Sequence, residues 1–151
     1  MSKTVKIRGF LDSNVIIAYL QGKEETKTLF SDRVLAKVQY LISPIVYQEV
    51  LLFSNLVEKR DLIRTGATLD FIENLAKVVT ITDMKTKTDP TILRQLRNRM
   101  VHTNDIVILQ AAMNNCDYFL TFDRDLLRVK ELVTLKIVTP VDFLRLLEES
   151  Q

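Results

Sequence analysis

Short apolar runs, each closed by a polar or acidic residue, alternate along this chain with stretches whose apolar positions recur every three or four residues. The first run covers residues 5–11 and ends in Asp12-Ser13, good helix-capping residues ahead of Val15, Ile16, Ala18, Tyr19 and Leu20. This predicts a strand over 5–11 and a helix over 13–20, stopped by Gly22. A second helix is expected over 24–37, with Leu29, Phe30 and Val34 roughly on one side. A buried strand follows over 40–43, and Pro44 then begins a helix that runs to about residue 59. Residues 61–76 read as another helix, with Gly66 a weak point inside it. The β-branched run 78–82 predicts a strand. A polar loop follows over 83–89, and Asp89-Pro90 opens a helix over 91–100. Thr103 or Asn104 is expected to cap a helix over 105–114. Strands at 118–121 and 135–138 flank a helical turn or two over 123–129, and Pro140 starts a terminal helix.

The strands are apolar throughout instead of alternating with polar residues. With helices between them, that pattern predicts an α/β fold whose mostly parallel sheet is covered on both faces. Composition narrows the class. A chain of 151 residues that is 47% hydrophobic makes one ordinary domain spanning 1–151. Three glycines and three prolines leave no linker or repeat to divide it. A net charge of +2 neither announces nor excludes a nucleic-acid partner. The single Cys116 rules out an intramolecular disulfide and fits a reducing compartment. No run is apolar for long enough to cross a membrane, and the N-terminus lacks a signal peptide's apolar core. A soluble protein of the cytoplasm is expected.

Four acids carry the chemistry. Asp12 and Asp123 each stand where a predicted strand meets a helix, and Asp125 follows the second. Asp105 opens an apolar helix; His102, three residues earlier, reads as a donor to it or as a surface residue. Each Asp taken singly is an ordinary cap or first-turn acid. Glu49 is different. Its neighbours three and four positions away are Ile45, Val46, Leu52 and Phe53, so it should lie on the buried face of its helix. A buried carboxylate needs a partner, either a cationic side chain or a metal. In a parallel sheet the strand ends and the helix N-termini meet at the carboxyl edge, where open α/β sheets hold their ligands. One cluster there accounts for all four acids. Their mutual repulsion calls for a cation, and oxygen-only ligation suits Mg²⁺ or Mn²⁺, as one ion or two. Such a site is equipped to hydrolyse a phosphodiester. An aspartyl-nucleophile phosphatase would want a second Asp where Asn14 stands, and no Gly-x-Gly follows the first strand for a dinucleotide.

Four segments in order then point to a family. Phe10-Leu11-Asp12-Ser13-Asn14-Val15, Ser43-Pro44-Ile45-Val46-Tyr47-Gln48-Glu49-Val50, His102-Thr103-Asn104-Asp105 and Leu120-Thr121-Phe122-Asp123-Arg124-Asp125 resemble the PIN-domain nucleases, and within them the VapC-like ribonuclease toxins. Thr139-Pro140-Val141-Asp142-Phe143-Leu144 is similar to the family's last strand-to-helix step. The resemblance implies a three-layer α/β/α sandwich with a sheet of about five strands. It implies Mg²⁺- or Mn²⁺-dependent cleavage of RNA, with Asp12, Glu49, Asp105 and Asp123 as the catalytic and metal-binding quartet. Ser13 or Asn14 would position a metal-bound water, and Asp125 would be an auxiliary acid. A homodimer and a small antitoxin partner are implied as well.

Arg94, Arg97 and Arg99 precede His102, and Lys85, Lys87, Arg124, Arg128 and Lys130 flank the proposed site. Arg94, Arg97 and Arg124 are the candidates for holding RNA phosphates, against the plain reading of a solvated charged surface. Tyr47 and Phe122 are candidates for stacking on bases or for core packing. Two other functions stay open at this point. One is the same nuclease in RNA processing without an antitoxin. The other is a PIN module that binds RNA or scaffolds a complex without turnover.

Overall fold

The computed structural model describes residues 5–59, 67–82, 89–99, 102–113 and 115–150. Five strands are β1 (Ile7–Leu11), β2 (Val38–Ile42), β3 (Val79–Ile81), β4 (Tyr118–Leu120) and β5 (Lys136–Val138). They pair in parallel throughout, in the order β3-β2-β1-β4-β5. The helices are α1 (Ser13–Leu20), α2 (Glu24–Lys27), α3 (Asp32–Leu35), α4 (Pro44–Lys59), α5 (Ala67–Val78), α6 (Pro90–Asn98), α7 (Thr103–Met113), α8 (Arg124–Leu127) and α9 (Pro140–Glu149). Two 3₁₀ turns, Thr28–Phe30 and Lys130–Leu132, complete the described elements.

The register fixes two dry faces. Gly9 lies beside Tyr40 and Tyr118, and Phe10 beside Leu41 and Phe119. Side chains alternate along a strand, so these two sets face opposite ways. On one face the rings of Tyr40 and Tyr118 meet Phe143 of α9 at 6.5 and 5.2 Å. On the other, Phe10 stacks on Phe119 at 5.5 Å. Phe10, Tyr40, Phe119 and Phe143 are all fully buried. The strand order runs from β1 outward to β3, then returns past β1 to β4 and β5. A constant crossover hand therefore sends α1–α5 and α6–α8 to opposite faces. Within these layers α1 packs on α2 and α4, α4 on α5, and α6 on α7. This is the expected three-layer α/β/α sandwich.

The expected helix over 24–37 is not continuous. It breaks into α2, a 3₁₀ turn and α3. Ser31 is the cause: it is extended, its hydroxyl donates to the Thr28 carbonyl, and its oxygen accepts from the Val34 N–H to cap α3. Helix α5 continues through Val78, so β3 begins one residue later than expected. Helix α7 begins at Thr103, two residues early, with the His102 carbonyl accepting from the Ile106 N–H. The expected helix start at 61, Gly66 and the loop over 83–88 lie outside the described residues. Gly22 does end α1, at a φ of 78° that favours glycine. Among the described residues no helix is long and apolar enough to cross a membrane.

Candidate active site at the carboxyl edge of the sheet

Beyond the strands proper, the ladder continues for one more bond at several strand ends. The Asp12 N–H donates to the Leu120 carbonyl, and the Thr121 N–H donates to the Val138 carbonyl, both at 3.0 Å. These bonds seat Asp12 and Thr121 side by side where the strand order reverses, between β1 and β4. That is the point at which open α/β sheets form their binding crevice.

Asp12 is buried, with 3% of its surface exposed. Its Oδ1 accepts from the Ser13 N–H at 2.8 Å as α1 begins. Its Oδ2 accepts from the Thr121 hydroxyl at 2.8 Å and from Asn14 Nδ2 at 3.2 Å. Burial lifts Asp12 from its ordinary 3.8 to about 6; the charges of Asp105 and Glu49 push the same way, while the Thr121 hydroxyl and the Ser13 N–H push back. Glu49, on α4, accepts the Ser13 hydroxyl at 2.8 Å through Oε2. It is half-buried, and the face it shares is wetter than expected, since Leu52 is 68% exposed. Its protein partner is a serine hydroxyl from α1.

Asp105, half-buried in the first turn of α7, is also raised. Burial is the main cause, followed by the charge of Asp123 and, more weakly, those of Glu49 and Asp125, with His102 opposing. Asp123 caps α8, accepting from the Asp125 N–H at 2.8 Å. The structure thus brings Asp12, Glu49, Asp105, Asp123 and Asp125 into one electrostatic neighbourhood, in which ionising one acid opposes ionising another. Among the described residues no three His, Cys, Asp or Glu side chains converge closely enough to share a metal directly. The donor set, all carboxylate oxygen, fits a hard cation in charge and in chemistry.

Ser13 and Asn14 are both engaged by protein groups at this edge: Ser13 by Glu49, and Asn14 by Asp12, Thr121 and the Phe122 N–H. The residue that sequence reasoning missed is Thr121. Its side chain is fully buried, and its oxygen also accepts from the Asp123 N–H at 3.0 Å. The one signal in the sequence was a Thr two residues ahead of a capping Asp, the spacing of a local side-chain turn.

Of the basic residues, Arg94, Arg97 and Arg124 are exposed. Arg99 is engaged: it pairs with Glu131 at 3.1 Å and donates to the Arg128 carbonyl at 3.1 Å. Arg128 stands 3.8 Å from Asp125. Lys85 and Lys87 lie outside the described residues. Tyr47 and Phe122 pack against the core.

A family model for the PIN domain matches residues 9–132, a span that includes all five acids. The chain belongs to the PIN-domain family. PIN domains are generally nucleases. Among solved structures, this PIN domain is similar to VapBC2 from Rickettsia felis bound to a DNA fragment from their promoter, with a TM-score of 0.65 and 15% identity over 88% of this chain and 98% of that one. A toxin–antitoxin complex from Klebsiella pneumoniae gives 0.61 and 18% identity over 87% of this chain and 97% of that one. VapBC-1 from nontypeable Haemophilus influenzae gives 0.56 and 18% over 89% and 98%. A comparison with curated protein sequences gives no match.

Proposed function

We propose that this PIN domain is a divalent-metal-dependent endoribonuclease acting as the toxin of a toxin–antitoxin pair in the cytoplasm, with Asp12, Glu49, Asp105 and Asp123 as its metal-binding and catalytic acids. The observation that carries this reading is the mutual opposition of these acids at the sheet's switch point. Four distant segments deliver like charges to one edge, and burial makes the innermost of them costly to ionise without a counter-charge. When bound, Mg²⁺ or Mn²⁺, as one ion or two, supplies that counter-charge, neutralises a substrate phosphate and acidifies a water for attack. The chain's own part is to hold the acids apart and oriented. Ser13 ties Glu49 to α1, Thr121 and Asn14 fix Asp12, and Asp125 adds charge beside Asp123. The exposed Arg94, Arg97 and Arg124 are proposed to grip RNA phosphates, a grip that weakens with added salt. The toxin role and a small antitoxin partner are supported by the likeness to toxin–antitoxin structures, and a homodimer belongs to the same reading.

The test is RNA cleavage in Mn²⁺ by the wild type and by Asp12→Asn. The wild type is expected to cleave and the variant to lose at least a hundredfold in rate. Equal cleavage by both would remove Asp12 from the chemistry. That no three acids among the described residues stand close enough to share a metal favours one other reading, a PIN module that has kept the fold and lost turnover. A wild type that neither binds Mn²⁺ nor cuts RNA would establish it.

A further inference from the structure

The hydrogen bonds around Thr121 can be counted to completion. A threonine hydroxyl has one proton to donate and two lone pairs to accept with. Here both acceptor positions are filled by groups that only donate: Asn14 Nδ2 at 3.2 Å and the Asp123 backbone N–H at 3.0 Å. The amide of Asn14 cannot be turned over without loss, because its Oδ1 accepts from the Phe122 N–H at 3.2 Å. The Thr121 proton therefore has one direction left, toward Asp12 Oδ2 at 2.8 Å. That oxygen also accepts from Asn14 Nδ2 at 3.2 Å, which fills its second lone pair. Among the described residues Asp12 Oδ1 has a single partner, the Ser13 N–H at 2.8 Å, which leaves it one lone pair.

We propose that Thr121 is a positioning residue: with Asn14 it saturates Oδ2 of Asp12, so that Asp12 meets a divalent cation through Oδ1 alone. This rests on the metal-dependent reading above. The same hydroxyl holds the Asp123 backbone, so one buried side chain sets the orientation of two acids that stand 111 residues apart in sequence. Removing it frees Asp12 to rotate about its side chain and offer the wrong oxygen, or both.

The experiment is calorimetric titration of the intact protein with Mn²⁺, alongside the metal-free melting temperature, for the wild type, Thr121→Val and Thr121→Ser. Thr121→Val keeps the shape and loses the hydroxyl; about a tenfold or greater weakening of Mn²⁺ binding is expected. Thr121→Ser keeps the hydroxyl and should bind Mn²⁺ within about twofold of the wild type, even if its melting temperature falls as far as that of the valine variant. A role confined to stability would make Mn²⁺ affinity follow the melting temperature, and that result would overturn the proposal. Wild-type affinity in the valine variant, or equal weakening in both variants, would also overturn it while leaving the nuclease reading intact. No Mn²⁺ binding by the wild type would take down both together. If Thr121→Val does not fold, Thr121→Ala provides the same comparison against Thr121→Ser.

Discussion

Asp12 accepts three hydrogen bonds and still resists ionisation, because its 3% exposure leaves little water to share the charge. The consequence for stability has a definite sign. Between pH 3.8 and about 6 the folded protein holds a proton on Asp12 that the unfolded chain releases. Stability from this group therefore falls as pH rises through that window, and the full cost stands above it. The rise from 3.8 to about 6 corresponds to at most about 3 kcal/mol. In metal-free buffer, the melting temperature of Asp12→Asn relative to the wild type is expected to rise by several degrees between pH 4 and pH 8, on top of a pH-independent cost of turning an NH2 toward the donors that Asp12 accepts from. Thermal melts of both proteins in chelator across that range check this; a gap independent of pH would mean that the charge is not what burial penalises. The acid itself was legible, since a carboxylate at a strand end stands out in the sequence. Thr121 was not. A threonine in an apolar run reads as a strand residue, and its role depends on β4 lying beside β1, which no local pattern records.

At the level of elements, the junctions were more legible than the faces. Asp12, Asp89, Asp123 and Thr139 cap helices where turn chemistry predicted starts. The stretch over 24–37 failed because periodicity is blind to a serine that satisfies backbone groups on both sides of itself. Glu49 shows the other limit. Helical spacing says which residues share a face, not whether that face is covered, and beside Glu49 it is only partly covered. The broken stretch is nevertheless fastened to the sheet. The Tyr40 hydroxyl of β2 donates to the Leu29 carbonyl at 2.9 Å in the 3₁₀ turn, both residues being fully buried. Tyr40→Phe leaves that carbonyl without its donor and should cost about 1–3 kcal/mol. Urea unfolding measures it: the midpoint should drop with the slope unchanged. An unmoved midpoint would show that the carbonyl finds another donor.

On the scale of the whole molecule, the parallel sheet, its two covered faces and the placing of the acids at one edge followed from alternation of strand and helix patterns. What remained hidden was how closely the acids approach, which the packing of distant elements decides. A ligand that binds only the folded state stabilises it, by about 2.7 kcal/mol at a hundredfold excess over its dissociation constant. Millimolar Mn²⁺ should therefore raise the melting temperature of the wild type by several degrees and that of Asp12→Asn by much less. Scanning calorimetry with and without Mn²⁺ decides it, and an indifferent wild type would refute the cation site. The order β3-β2-β1-β4-β5 has one more outcome. The neighbour that completes the pocket beside β1 begins only at Tyr118. While synthesis stands between Asp105 and Tyr118, the polypeptide holds Asp12, Glu49 and Asp105 with no Thr121 and no Asp123 to set against them. On the proposed reading, a growing chain gains a complete site only once the β4 segment and the residues just after it have been made.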